Sequence, residues 1–352
     1  MTRSLRLGAV ALLLSLPLTA SAQERHTLSG DDVAIYNLIG SIRITAGSGG
    51  AVGVQLTRGG ADAARLTIET GALRGRETLR VVYPGDRFTY AGQGGSGNTT
   101  MRVRENGTFG DGGDRRGVWR AGREVRIGSR EGGLEAWADL EISVPRGQKL
   151  AVYLGVGRAT VTNVEGDLRV DAASADITAE GTRGRLDLDT GSGAIDVTNA
   201  DGDLVLDTGS GDIRVAGTRG SDLNIDTGSG TVTIDRVEAD QLSVDTGSGD
   251  VRISAARARR VEIDTGSGEV DLVLLADVES INIDTGSGDV TLTVPEGVGA
   301  TLDLDTSSGD IEFDFPIQVR RVERDHVQGT VGDGRGSITI DVGSGSIRLK
   351  RG

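Results

Sequence analysis

The chain has 352 residues, of which 56 are glycine and none is cysteine, and its formal net charge is −14. Without cysteine a disulfide framework is excluded, and so acidic a chain is a poor partner for nucleic acid or anionic lipid, because like charges repel. Only four Phe, four Tyr and two Trp are present, a composition that suits repeated coils filled by Val, Ile, Leu and Ala and closed by tight turns.

An N-terminal export signal is predicted over residues 1–22. Arg3 and Arg6 place positive charge ahead of an apolar stretch, residues 7–18, and Ala20-Ser21-Ala22 fits the small-residue rule for signal cleavage. The apolar stretch is shorter than the roughly 20 residues that cross a bilayer, and no later segment approaches that length, so no transmembrane segment is expected. Cleavage would leave 36 basic and 52 acidic residues, a net charge of −16.

Residues 23–139 are expected to form a β-rich cap that includes the first coil of the fold. Apolar residues alternate between Val33 and Ile44 in the manner of one isolated coil, and shorter alternating runs continue to Val81. Residues 91–117 interrupt this pattern with the strings GQGGSGN and NGTFGDGGD. Their high glycine content and small number of apolar residues predict a mobile loop.

Residues 140–352 are expected to form a repeat domain, because the string DTGSG recurs there at a nearly fixed period. Successive copies lie 18, 19, 19, 19 and 20 residues apart, and the variants DTSSG at Asp305 and DVGSG at Asp341 extend the series. A period of about 20 residues is typical of a stack of identical structural units. The six invariant copies begin at Asp189, Asp207, Asp226, Asp245, Asp264 and Asp284.

The pattern within each repeat predicts two short strands and two turns. Around the first copy, Leu186 and Leu188 alternate with aspartates before the turn, and Ile195 and Val197 alternate with polar residues after it. The predicted fold class is therefore all-β, a parallel β-solenoid with coils of roughly 18–21 residues that bury their apolar residues by stacking on one another. One small apolar position per coil is expected to turn inward at the second corner: Val164, Ala200, Val237 and Ala256.

Two details complete the predicted repeat domain. Gly191 and Gly193, with their counterparts, are expected to supply positive φ where the chain reverses. The stretch 316–336 replaces a motif with an insertion that contains His326, expected to be solvated, and is expected to cover the end of the stack before a last coil, residues 338–349.

The motif first invites interpretation as an aspartic protease, whose active-site signature is an apolar residue followed by Asp-Thr-Gly-Ser. That mechanism uses one such aspartate from each of two lobes, which share a proton and a water. Six copies at intervals of 18–20 residues do not supply that arrangement. A structural turn is therefore favoured, and no catalytic residue is predicted.

Stacking places the motif aspartates in an outward-facing ladder, in which carboxylates about 4.8 Å apart repel by roughly 0.9 kcal/mol in water. Two remedies remain open. The favoured one is Asx-turn hydrogen bonding from each aspartate to the following glycine and serine amides, with Thr or Ser hydroxyls bridging coils. The other is bound Ca²⁺. The candidate calcium ligands are Asp207, Asp226, Asp245, Asp264 and Asp284.

A carbohydrate-active β-helix is a third interpretation, since surface carboxylates can perform acid–base chemistry on a glycan. Such enzymes interrupt their repeat with an irregular cluster of acidic, arginine, histidine and aromatic residues, whereas this repeat is most regular where its acids are densest. Trp119, Trp137, Tyr83 and Tyr90 lie outside the regular repeat. They are expected to pack within the cap, with a sugar-stacking platform as the alternative.

On these residues the chain resembles a family of exported bacterial β-strand-repeat proteins of unknown function, often labelled candidate adhesins. The resemblance rests on residues 140–147 (LEISVPRG), on the apolar-x-apolar-DTGSGD units up to Asp310 and on residues 342–347. It covers roughly residues 31–350, without the loop at 91–117. It implies a cell-envelope β-solenoid with a role in adhesion or envelope stress, and it transfers no catalytic residue.

The predicted function is that of an exported, non-enzymatic binding or scaffold protein, periplasmic or at the cell surface. Its rigid acidic face is expected to engage a cell-surface component or a cationic peptide through many weak contacts, without a cofactor. A glycan-active enzyme and a calcium-stabilised surface repeat protein are the alternatives.

Overall fold

The computed structural model describes residues 23–91, 98–110, 122–130 and 132–352. Within these residues the chain forms 26 strands and one short 3-10 turn, Ala63–Arg65, which confirms the all-β class. The predicted export signal, residues 1–22, lies outside the described residues.

The strands are numbered in chain order and fall into three groups. The N-terminal strands are β1 (Gln23–Leu28), β2 (Asp32–Ala46), β3 (Val52–Gly59), β4 (Thr67–Leu73), β5 (Arg76–Val82), β6 (Arg87–Thr89), β7 (Thr99–Val103), β8 (Arg123–Gly128) and β9 (Trp137–Val144). The repeat strands are β10 (Gln148–Thr162), β11 (Gly166–Glu180), β12 (Leu186–Thr190), β13 (Ile195–Thr198), β14 (Leu204–Thr208), β15 (Ile213–Ser229), β16 (Val232–Ser248), β17 (Val251–Thr265), β18 (Val270–Leu274), β19 (Ser280–Thr285), β20 (Val290–Val294), β21 (Ala300–Thr306) and β22 (Ile311–Phe313). The C-terminal strands are β23 (Gln318–Val322), β24 (His326–Val331), β25 (Gly336–Val342) and β26 (Ile347–Arg351).

Successive repeats pair in parallel, with each residue beside its counterpart one repeat away. Leu168 of β11 lies beside Leu150 of β10, and Leu204 of β14 lies beside Leu186 of β12. The inward-facing member of each alternating pair is buried, as are the four predicted corner residues, of which Ala256 is fully covered. The chain therefore forms a solenoid-like repeat in which each coil completes the core of its neighbours.

The prediction of two short strands in every coil is wrong for part of the stack. Strands β10 and β11 run continuously through the slot that later holds the DTGSG turn, because that slot contains Leu154-Gly155-Val156-Gly157 and Ala172-Ala173-Ser174-Ala175. Strands β15, β16 and β17 instead run continuously around the other corner and end at or near the Gly-Ser-Gly turn. The glycine turn thus makes the sharp corner, and an extended backbone rounds the other one.

The distance in sequence between the N-terminal coil and the repeats indicated an isolated coil. In the structure this coil is not isolated. Strand β2 pairs in parallel with β10, with Val33 beside Leu150 and Ile42 beside Ala159. Strand β9 pairs with β2 in parallel and with β3 in antiparallel fashion. Because β9 contains both Asp139 and Leu140, the predicted boundary between cap and repeat domain falls inside one strand of a continuous sheet.

Part of the predicted mobile loop, residues 91–117, is folded. Residues 99–103 form β7, which pairs antiparallel with β8, and β8 pairs with β6 to complete a second, three-stranded sheet. Phe109 is buried and meets Tyr36 edge-on with ring centroids 6.0 Å apart. These apolar anchors order a segment whose composition resembles that of a loop; residues 92–97 and 111–117 lie outside the described residues.

The last coil in sequence is not the last coil in space. Strand β25 lies between β19 and β21, and β26 lies between β20 and β22. The predicted insertion, 316–336, forms the antiparallel hairpin of β23 and β24, and β24 also pairs antiparallel with β21. The hairpin thus covers the exposed edge of β21, and the predicted final position of the 338–349 coil is wrong.

Candidate functional site

The motif aspartates align in register along one face of the stack. Each of them is the Cα partner of the motif aspartate in the next coil. Strand pairing at about 4.8 Å brings these positions as close as adjacent strands allow. This line of carboxylates, called the aspartate row below, comprises in spatial order Asp171, Asp189, Asp207, Asp226, Asp245, Asp264, Asp284, Asp341 and Asp305.

The threonine that follows each aspartate faces the other way and is buried in all six invariant copies. The Thr208 hydroxyl donates to the carbonyl of Gly193 in the preceding coil, at 3.1 Å, and Thr306 donates to Gly345 at 2.8 Å. These bonds confirm the predicted bridging of coils by hydroxyl groups at those positions. In the central copies the buried hydroxyls of Thr246, Thr265 and Thr285 have no hydrogen-bond partner in the described part of the chain.

The two glycines of the motif are required for different reasons. The second has positive φ, for example 139° at Gly193 and 150° at Gly211, as predicted. The first does not adopt positive φ, so the prediction for Gly191 is wrong. A Cβ added there would instead lie 2.7 Å from the carbonyl oxygen of Ala173 in the adjacent coil. Close backbone approach between coils therefore fixes this glycine.

The predicted Asx-turn bonds are not formed by the motif aspartates. Among the described residues, Asp207, Asp226 and Asp245 accept no hydrogen bond from the glycine and serine amides that follow them. The bonded aspartates belong to a second row, which follows the turn. Each member accepts a bond from a backbone amide of the next coil: Asp176 from Ala194 (3.1 Å), Asp212 from Thr231 (3.1 Å), Asp250 from Glu269 (3.0 Å) and Asp289 from Ser346 (2.8 Å).

The two rows differ in electrostatics as well as in bonding. Partial burial, followed by repulsion from Asp171, raises the pKa of Asp189 to about 6, although Arg169 opposes the shift. Burial and then the neighbouring row carboxylates also raise the pKa of Asp207 and Asp226. In the second row, the amide bond from Glu269 is the main cause of a lowered pKa at Asp250. Asp171 and Asp189, at one end of the aspartate row, pair with Arg169, whereas the five central carboxylates have no hydrogen-bond or ion-pair partner among the described residues.

The candidate calcium ligands Asp207, Asp226, Asp245, Asp264 and Asp284 lie in this row, one to each coil. Within the part of the chain that the structure describes, no group of three or more His, Asp or Glu side chains is placed to hold a metal ion. A cation bound to a straight row would contact only the carboxylates of neighbouring coils. Ca²⁺, by contrast, takes six to eight oxygen ligands. Calcium binding remains a prediction.

A second line of charges follows the opposite corner of the same coils. Its members are neighbours in register, and their signs alternate from coil to coil. The only one of these neighbour pairs that forms an ion pair within the described residues joins Arg257 and Glu238, at 4.0 Å. This corner row consists of Glu165, Arg183, Asp201, Arg219, Glu238 and Arg257. Aligning the repeats by their period would have shown it from the sequence.

The aromatic residues outside the repeat divide into two roles. Tyr83 is buried, and its hydroxyl bonds with Asn37 at 2.9 Å and Ile39 at 2.8 Å, so it packs within the core as predicted. Tyr90 and Trp137 instead approach each other beside an open cavity, with ring centroids 5.8 Å apart. Trp119 lies outside the described residues. The cavity has a volume of about 550 Å³ and is lined by Ser41, Thr89, Tyr90, Ala91, Glu135, Trp137, Asp139 and Arg158.

The two histidines lie outside both rows. His326 of β24 is half-buried, and its Nε2 atom lies 2.8 Å from Asp303 Oδ1 on β21, so the prediction of a solvated residue is wrong. His26 of β1 lies 3.8 Å from Glu24. Each pairs with a single carboxylate, which gives neither a nucleophile nor a metal-binding set.

Comparison with known proteins gives one family match. The model of the Toastrack DUF4097 family matches residues 140–350, and no curated protein matches the chain. A solved structure described as a "putative cell adhesion protein" from Clostridium sporogenes is 7% identical, with 94% of this chain and 99% of that one covered and a TM-score of 0.20. A likeness this low carries no argument. In the described ranges, no helix has the length and apolar character of a membrane span.

Proposed function

Because the chain belongs to the Toastrack DUF4097 family, we propose that it is an exported, non-enzymatic binding scaffold of the cell envelope. The aspartate row is the surface through which it engages its partner. The single observation that carries this proposal is that the row repeats one charge in register over nine coils, while its five central carboxylates have no hydrogen-bond or ion-pair partner among the described residues.

The partner is a cationic segment of a protein or another cell-surface component. Five central carboxylates, from Asp207 to Asp284, span about 19 Å at the spacing of adjacent strands. Each contact with an exposed cation contributes only a few tenths of a kcal/mol to about 1 kcal/mol. Several such contacts on one rigid surface combine into useful affinity, because the row is already ordered before the partner arrives.

Two further sequence features support the location and the lack of enzymatic activity. Residues 1–22 have the three-part pattern of an export signal. The repeat is also most regular where its acids are densest, whereas a glycan-active site interrupts the repeat with an irregular cluster of side chains.

The proposal is tested with a fluorescent nonaarginine peptide titrated against the purified protein at low and at physiological salt. We expect saturable binding that weakens with salt, as screened ion pairs do. Replacing the five central aspartates by asparagine is expected to weaken binding about tenfold or more. The substituted positions are Asp207, Asp226, Asp245, Asp264 and Asp284.

A control variant removes the same number of charges from exposed acids that lie off the row. If it weakens binding as much as the row variant does, net charge alone attracts the peptide and the proposal fails. Turnover of an envelope polysaccharide that is lost on replacing one acidic residue would contradict a non-enzymatic role. The control positions, each changed to the corresponding amide, are Glu105, Glu180, Asp201, Glu238 and Glu296.

Calcium is tested on the same proteins by thermal unfolding with Ca²⁺ and with chelator. An unchanged midpoint would eliminate structural calcium and leave the cationic partner. A midpoint that rises with Ca²⁺ in the parent but not in the row variant would support the alternative of a calcium-stabilised surface repeat protein.

A further inference from the structure

The cavity beside Tyr90 and Trp137 lies where the regular repeat gives way to the N-terminal strands. Tyr90 follows β6, Trp137 and Asp139 are on β9, and Arg158 is on β10. Side chains from separate parts of the chain therefore converge on one opening. At about 550 Å³, its volume is within the range of small-ligand sites.

The aromatic side of the cavity is held in place by its surroundings. The two rings are tilted by 55° with their centroids 5.8 Å apart. The Trp137 indole also packs on the backbone of Gly59 and Gly60, where a Cβ on Gly59 would come within 2.3 Å of the ring. Two glycines thus allow the indole to lie flat against the sheet, and the aromatic surface is formed before any ligand binds.

The cavity is also lined by polar groups that are held in place. Asp139 Oδ1 accepts hydrogen bonds from the backbone amide and the hydroxyl of Ser41, both at 2.7 Å. Thr89 accepts a bond from the Gly133 amide at 3.1 Å. Asp139 Oδ2 and the Trp137 indole N–H have no hydrogen-bond partner among the described residues. Trp137 and Asp139 both line the cavity, so its wall includes a residue with a donor and a residue with an acceptor, together with Glu135 and Arg158.

We propose that this cavity binds a saccharide ring. A sugar has an apolar C–H face that stacks on aromatic rings and a rim of hydroxyls that both donate and accept hydrogen bonds. The cavity presents an aromatic surface and hydrogen-bonding groups together. A purely apolar ligand would leave the carboxylates of Glu135 and Asp139 desolvated, and a simple cation would meet the like charge of Arg158 at the cavity wall. This site is separate from the aspartate row and does not depend on its function.

The test uses the Trp119→Phe variant, which leaves Trp137 as the only tryptophan of the chain. Its fluorescence is followed during titration with trisaccharides of glucose, galactose, mannose and N-acetylglucosamine. We expect at least one to change the emission saturably. Replacing Tyr90 by alanine or Arg158 by alanine, each in that background, is expected to weaken this binding about tenfold or more, because each removes a side chain that lines the cavity.

Matched variants separate the site from general effects. Arg219→Ala removes an exposed arginine far along the stack, and the five-site row variant removes the acidic surface; both are expected to bind the saccharide with unchanged affinity. Thermal unfolding checks that each variant is folded. If no trisaccharide changes the emission, or if Tyr90→Ala and Arg158→Ala bind as tightly as the parent, the proposal is overturned. Saccharide binding without peptide binding would reject the proposed function alone.

Discussion

The aspartate row and the corner row are two lines of charge on the same coils, yet one repeats a single sign and the other alternates. Both have the same spacing, because both are set by pairing of adjacent strands. Neighbours in the aspartate row repel by roughly 0.9 kcal/mol in water, and neighbours in the corner row attract by a similar amount. The fold therefore accommodates either pattern, and stacking by itself does not select aspartate.

The residues of the DTGSG motif differ in what the fold requires of them. The buried threonine bonds to the neighbouring coil at several positions, and both glycines are required by the backbone. In the central coils, the aspartate makes no such bond among the described residues. We infer that the Thr and Gly positions build the stack, while the Asp position provides a surface for binding.

The largest expected effect comes from the glycine positions. In Gly230→Ala the new Cβ would lie 2.1 Å from the Gly211 carbonyl oxygen, at a residue whose φ is 147°. We expect a loss of about 3 kcal/mol or more in the free energy of unfolding, measured by urea denaturation. Ser229→Ala, at the exposed neighbouring position, is the control and should change stability by less than about 0.5 kcal/mol. Equal stabilities of the two variants would contradict the role given to the turn.

Replacing an aspartate on either side of one turn should have opposite effects. Asp250→Asn weakens a charge-assisted bond to the Glu269 amide and is expected to cost about 1 kcal/mol. Asp245→Asn removes a carboxylate that repels Asp226 and Asp264, so stability should stay equal or rise by a few tenths of a kcal/mol. Urea denaturation of both variants at pH 7 compares them at equal change in charge. A larger loss of stability in Asp245→Asn than in Asp250→Asn would contradict the roles given to the two rows.

The pH dependence of stability should reflect the aspartate row. Folding raises the pKa of Asp189 from 3.8 to about 6, so the folded chain binds its proton more tightly than the unfolded chain does. Stability should therefore fall as the pH rises from about 4 to about 6, and Asp189→Asn should remove part of this fall. With solvent screening of this half-exposed group, the expected contribution is about 1 kcal/mol. An equal pH dependence of the denaturation midpoints of the parent and of Asp189→Asn between pH 4 and pH 7.5 would contradict it.

The smallest effect is expected at the corner row. Arg219→Glu would place three like charges next to one another, with Asp201 and Glu238 as neighbours. At low salt we expect a loss of about 0.5 kcal/mol in unfolding free energy, and less at 1 M salt because the charges are exposed. Arg219→Gln should lie between this variant and the parent. A loss independent of salt would indicate a packing role for Arg219.

The features that follow from the repeat period could be predicted from the sequence. Alternation identified the buried pairs, the repeated motif identified the turn, and the aligned aspartates followed from stacking. The place of β25 and β26 could not be predicted, because a coil that follows Asp305 in sequence has the same pattern whether it stacks beyond that coil or before it. The amide bonds of Asp212 and Asp250 depend on which oxygen faces the next coil, and the cavity joins residues as distant as Ser41 and Arg158. The repeat period indicates neither these amide bonds nor the cavity.

The measurement that tests the central claim most directly is the unfolding free energy of the variant in which Asp207, Asp226, Asp245, Asp264 and Asp284 are all asparagine. It should be made at pH 7.5 and low salt in the presence of chelator. If these aspartates form a binding surface on a stack that does not need them, the variant is as stable as the parent or more stable, since repulsion is removed. A clear loss of stability, on the order of 2 kcal/mol or more, would show that the row is structural and would contradict the account.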